Sequence, residues 1–219
     1  MPNPTNSASP PARPGRKTLA SVVGLITAGL LFNSIPREES GRKVDAKVEA
    51  TTGTATIKHI SGPQYLRAYL DIVGVATACD GLTGPEIDAA RRAGKTFTEQ
   101  QCTVMLEDAL VSHAEAVLAC TPSLRLARPG RDYQRFAAVS LAYNVGAGPR
   151  GWCGSSARRL FEAGQWAVGC DAFKLWRKAG GKVIPGLVRR RAREWEGCVT
   201  NILPGKTPAN YAARVAGAR

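Results

Sequence analysis

A chain of 219 residues that is 44% hydrophobic can bury a sizeable core in one domain with an extension to spare, and it is too apolar for global disorder. Its 30 Lys and Arg against 17 Asp and Glu leave a net charge of +13. That field favours polyanions (nucleic acid, anionic lipid headgroups, acidic cell-wall polymers) without choosing among them. No helix-turn-helix or zinc-finger pattern is present, so no nucleic-acid partner is expected.

Residues 1–17 are rich in Pro, Ser and Asn and carry Arg13, Arg16 and Lys17. The next stretch, Leu19 to Phe32, is free of charge. It is short for a membrane span but matches the apolar core of an export signal, and the basic flank ahead of it is the orientation that sends the following chain outward. No small-x-small cleavage site follows, so the segment is expected either to be cleaved at an unobvious site or to stay as a weak anchor. A buried core helix is the competing reading.

Residues 44–60 alternate apolar and polar about Thr51-Thr52-Gly53, which predicts a hairpin with Val44, Ala46 and Val48 on one face and Ala55, Ile57 and His59 after the turn. A second, small β-hairpin region is expected near residues 70–85. Thr96-Phe97-Thr98-Glu99 fits a capping box that opens a helix through Cys102, Leu106 and Leu110. Helical periodicity continues over 105–119, 132–145, 155–163, 166–177 and 186–198, and the tail beyond Cys198 reads as loose.

The cysteines, Cys79, Cys102, Cys120, Cys153, Cys170 and Cys198, form no close C-x-x-C pair. Spread widely behind an export signal, they read as three disulfides rather than a metal site or free thiols, and neither a metal nor a cofactor is expected. Of the 15 possible pairings, Cys153–Cys170 is favoured, because a short helix between them would bring the ends together.

Three segments in order resemble the phage-type lysozymes (glycoside hydrolase family twenty-four, the endolysins). The first runs Ala68-Tyr69-Leu70-Asp71-Ile72-Val73-Gly74-Val75-Ala76-Thr77-Ala78-Cys79, with Asp71 and Thr77 at the family's active-site spacing. The second, Ala138-Val139-Ser140-Leu141-Ala142-Tyr143-Asn144-Val145-Gly146, is similar to the family's aromatic-Asn-x-Gly motif at the back of the cleft. The third reaches Gly186-Leu187-Val188-Arg189-Arg190-Arg191 and Glu194, like the family's Gly-Leu-x-x-Arg-Arg-x-x-Glu helix. The apolar N-terminal segment also resembles that of endolysins exported by a signal-anchor that later leaves the membrane.

The resemblance implies an α+β, lysozyme-like fold, with a small β-hairpin lobe and a larger, mostly helical lobe, preceded by an N-terminal apolar helix. The implied division is 1–36 basic lead and export signal or anchor, 37–60 hairpin-forming linker, 61–198 lysozyme-like domain and 199–219 loose tail. Glycoside hydrolysis needs an acid for the leaving oxygen and a second carboxylate. By resemblance Asp71 is that carboxylate, Thr77 positions water, and Asn144 and Arg190 contact substrate. The family's acid, a glutamate nine positions before the aspartate, is replaced by Gly62, or by Ser61 if one residue is inserted. Asp80 is then the candidate replacement acid, since a carboxylate near Asp71 would be raised by like charge; Glu49 and His59 are weaker ones. Arg190 is also expected to pair with Glu194 at helical spacing. The implied function is hydrolysis of the glycan backbone of peptidoglycan during host lysis, in the periplasm, by a monomer tethered through residues 19–32. A lysozyme-fold protein that binds the wall without cutting it is the alternative.

Overall fold

The computed structural model of the protein describes residues 16–71 and 74–217. The apolar N-terminal run is helical. Thr18 accepts the Ser21 N–H to cap α1, Leu19–Val23; Gly24, at φ +85°, breaks the axis, and α2 continues over Leu25–Glu39. Among the described residues, no helix is long and apolar enough to cross a membrane. Leu19, Val23, Ala28, Leu31, Phe32 and Ile35 are completely buried, against Leu106, Leu110, Phe136 and Leu141 of later helices. In this structure the segment expected to serve as a signal is the centre of the core.

The strands β1 (Lys43–Val48) and β2 (Ala55–Ser61) form the expected antiparallel hairpin. Its inner face, led by Ala55 and Ile57, joins the same core, and Asn33 of α2 bonds both the N–H and the carbonyl of Ala46. The hairpin tip lies against the start of α1, where Gly53 meets Thr18. Within the stretch expected as a hairpin-forming linker, residues 37–39 end α2 and the hairpin β1–β2 is a strap packed along that helix.

The small lobe is a three-stranded antiparallel sheet, β3 (Tyr69–Leu70), β4 (Ala76–Ala78) and β5 (Leu82–Thr83), covered by α3 (Pro85–Arg92). Its own apolar cluster includes Ala78, Leu82, Ile87 and Phe97. The long helix α4 (Glu99–Cys120) joins the lobes, with Cys102 in the small cluster and Leu106 onward in the large one. Its capping box is formed by Thr98 and Gln101, two residues later than the expected Thr96 and Glu99. The large lobe adds α5 (Asp132–Val145), α6 (Ser156–Glu162), α7 (Trp166–Asp171), a two-stranded ribbon β6 (Lys178–Ala179) and β7 (Lys182–Val183), and α8 (Pro185–Cys198). Within the stretch expected as a loose tail, Pro208–Gly217 form α9, whose Tyr211 is buried against Phe136 and Tyr133.

The disulfides are Cys79–Cys102, Cys120–Cys153 and Cys170–Cys198. The expected Cys153–Cys170 pair does not form, because each cysteine faces a different long helix. Cys153, in a 3-10 turn, meets the C-terminal end of α4, while Cys170 on α7 meets α8. Each bridge thus ties a peripheral element to a helix at the centre.

Candidate active site

The last residue of α2 is Glu39, and the chain turns sharply after it through Ser40 and Gly41, the latter at φ +74°. One Glu39 oxygen, Oε1, accepts a hydrogen bond of 2.6 Å from Nη1 of Arg190 on α8. The other, Oε2, lies over Gly81 in the β4–β5 turn, where an added Cβ would come within 3.1 Å of it. Glu39 is therefore seated between the two lobes and retains partial solvent access at 19% side-chain exposure. Arg190 is itself buried and also reaches Glu194 (3.1 Å) and the Ser140 carbonyl. Burial pulls its pKa down, but Glu39 and Glu194 outweigh that and hold it above the ordinary value. Burial raises the Glu194 carboxyl, with Arg191 and Arg190 opposing.

The turn after Glu39 is locked to the small lobe. Arg42 makes a two-pronged pair with Asp80 at 3.0 and 2.7 Å and a third contact to Glu99 at 2.9 Å, while the Ser40 hydroxyl donates to Asp80 at 2.9 Å. Arg42 and Asp80 are 3% and 1% exposed, so the pair is almost wholly desolvated. Tyr143 of α5 donates to the Asp80 carbonyl, and burial together with Glu39 and Asp80 drives its phenol strongly upward. Asp71 closes the β3–β4 turn, where its Oδ1 accepts the Val75 N–H at 2.8 Å. Thr77 stands opposite Tyr69 on the next strand, buried, with its hydroxyl donating to the Val75 carbonyl at 3.2 Å. Tyr69 and Tyr65 pack together at 4.9 Å and are both exposed.

The family model of phage lysozymes matches residues 61–194. The chain belongs to the phage lysozyme family. It is 33% identical over 169 residues to a SAR-endolysin of Bacteriophage PS119, spanning 77% of this chain and 94% of that one. Identity to a SAR-endolysin of Enterobacteria phage P21 is 36% over 148 residues, 68% of this chain and 82% of that one. Among solved structures, a variant of P22 lysozyme superposes with a TM-score of 0.53 at 28% identity, covering 63% of this chain and 88% of the other. The active form of the P1 phage endolysin Lyz gives 0.52 at 20% identity, 64% of this chain and 79% of that one, a likeness of fold. The lysozyme-like α+β fold and membership among lysozyme-type hydrolases follow.

The family match begins at residue 61 and so leaves Glu39 outside it. The reason is the strap. Gly62, at φ +91°, packs directly on the backbone of Gly41, with a Cβ there only 2.8 Å from the Gly41 carbonyl oxygen. The chain leaves at residue 41 and returns at residue 62, so the hairpin is an insertion whose ends meet. Excising residues 42–61 would cut the separation of Glu39 from Asp71 from 32 positions to 12, against the family's nine. Nine positions before Asp71 along the continuous chain stands Gly62, with Ser61 one further back. The sequence signal for this carboxyl was a glutamate two positions before a glycine, Glu39-Ser40-Gly41, with a recognisable hairpin directly after it.

Asp71 and Thr77 share the small-lobe sheet. Asp80 has both oxygens occupied by Arg42 and Ser40, and Arg190 is buried behind Glu39, not exposed to substrate. Asn144 accepts from Arg191 at 3.0 Å. Glu49 is exposed at the hairpin tip beside the start of α1, and α2 alone, at about 1.5 Å per residue, puts roughly 20 Å between that end and Glu39. His59 lies in β2 opposite Val44. Two concavities, of about 430 Å³ and about 160 Å³, lie elsewhere, and Glu39, Asp71 and Thr77 line neither.

Proposed function

We propose that the chain is an exported muramidase that hydrolyses the glycan backbone of peptidoglycan, with Glu39 as its general acid. The observation that carries the assignment is the Glu39 carboxyl, held by Arg190 of the Gly-Leu-x-x-Arg-Arg helix and aimed at the Asp80-Gly81 turn that follows Thr77. Oε2, the oxygen Arg190 does not hold, carries the proton delivered to the leaving sugar oxygen. Asp71 supports positive charge at the sugar or activates water, and Thr77 orients that water. Arg190 and Asp80 serve as positioning residues, the first by gripping the acid and the second by clamping the turn behind it. Tyr65 and Tyr69 offer aromatic faces to a sugar ring. With a carboxylic acid in place, a wall-binding protein without activity loses its main support.

Residues 19–32 act first as a signal-anchor that carries the chain into the periplasm, then leave the membrane and take up core positions. The basic flank before an apolar run supports this, as do relatives named SAR-endolysins. The protein acts there as a monomer on peptidoglycan. Digestion of purified peptidoglycan by the oxidised protein tests the reading. New reducing ends on N-acetylmuramic acid are expected. Release of stem peptides from intact glycan, or no products at all, would sink it.

A further inference from the structure

The larger concavity, about 430 Å³, lies between Pro122, Ser123, Arg128, Pro129 and Arg131 on one side and Glu162, Gly164 and Trp166 on the other. It is far from the acid. The helix α4 begins at Glu99, which pairs with Arg42 in the acid-bearing turn, and ends at Cys120, two residues from the groove wall. Its 22 residues at about 1.5 Å each separate the two places by roughly 30 Å.

Arg131 sits over the Trp166 indole, its guanidinium carbon 4.1 Å from the ring centroid. Stacking of this kind restrains the side chain while leaving the N–H donors at its edge free for a planar acceptor. Arg128 is exposed beside it, and among the described residues neither arginine has an ion-pair partner. The one acid on the rim, Glu162, is turned to the Ser123 backbone N–H at 3.0 Å. The Ser123 hydroxyl is buried there without a hydrogen-bond partner. A held arginine, a free arginine, an aromatic floor and an unpaired hydroxyl make a receptor for a carboxylate attached to an apolar stem.

We infer that this groove is a second wall-binding site that takes the stem-peptide carboxylates of peptidoglycan, holding the enzyme on the meshwork while the cleft works on a strand about 30 Å away. The inference rests on the muramidase reading. Charge complementarity selects the occupant: bidentate Arg–carboxylate contacts suit the groove, and the wall displays carboxylates at high density.

The test uses Arg128→Ala/Arg131→Ala in the full, oxidised chain. Trp166 keeps its packing on Phe161, and turnover of soluble muropeptide oligomers reports that the cleft is intact. Turnover of that soluble substrate by the parent protein also reports the muramidase reading on its own. Removing two partly exposed arginines together should weaken sedimentation with intact sacculi about tenfold and leave soluble turnover unchanged. With sacculi whose carboxylates are chemically amidated, the parent should fall to the level of the variant. Equal binding of parent and variant to intact sacculi overturns the proposal. So does an unchanged gap on amidated sacculi, or a loss seen on phosphatidylglycerol vesicles and not on sacculi.

Discussion

Replacing Glu39 by Gln separates a catalytic role from a structural one, because its neighbour provides the control. Glu39 pairs with Arg190, whereas Glu38, one residue earlier, makes a two-pronged bond to Arg193 at 2.6 Å on each oxygen. A general acid contributes about 10²–10⁴-fold to rate, so Glu39→Gln is expected to cut kcat/KM about 10³-fold, or roughly 4 kcal/mol of barrier. The amide oxygen of Gln can still accept from Arg190, which keeps its bonds to Glu194 and Ser140. The stability cost is then only about 1 kcal/mol, a few degrees in Tm for a chain of this size. Glu38→Gln has the opposite signature. It loses a well-formed bidentate pair, and with it about 1–2 kcal/mol, yet kcat/KM stays within about threefold. Initial rates on soluble glycan and thermal melts of both variants decide the matter. More than a tenth of parent activity in Glu39→Gln, or an equal loss in Glu38→Gln, would refute the assignment.

Restoring a glutamate at the position counted from the family spacing should not help. Gly62→Glu places a side chain at positive φ against the Gly41 carbonyl, so melting should show destabilisation by more than about 1 kcal/mol with no gain in rate. Asp80→Ala strands Arg42 without its buried partner and should cost about 3–5 kcal/mol by denaturant titration; a large rate loss with unchanged stability would instead make Asp80 an acid. Cys79→Ser/Cys102→Ser opens a loop with a sequence separation of 23 and should lower stability by about 3 kcal/mol, leaving a weakened small lobe. Removing residues 1–36 strips six completely buried apolar side chains from the core, among them Leu31 and Phe32. At about 3 kcal/mol or more for each large one, the remainder should show no cooperative melt; a folded, active fragment would show that the core closes without α2.

The sequence by itself determined what depends on near neighbours. Alternation over 44–60 specified a hairpin, 3.6-residue periodicity specified α4 to α8, and the Asp71-to-Thr77 spacing marked the small-lobe sheet. Each of these is written within a few turns or one strand pair, where chain connectivity sets the geometry. The pairing of Arg190 with Glu194 was legible for the same reason, as a single helical turn. Only the tertiary structure decided where the Glu39 carboxyl stands. Glu39 meets Gly81 and Arg190 across 42 and 151 positions, and counting residues fails once an inserted hairpin intervenes and its ends close on each other at Gly41 and Gly62. It also decided that Asp80 clamps a turn, since its charge partner Arg42 lies 38 residues upstream. The disulfide pairing likewise depended on which helix each cysteine faces. The apolar run from Leu19 to Phe32 shows the limit most clearly. Its composition is equally suited to lipid and to a protein interior, because both reward removal of apolar surface from water, and only the packing partners available to it, Leu106, Phe136 and Leu141 among them, place it in the core.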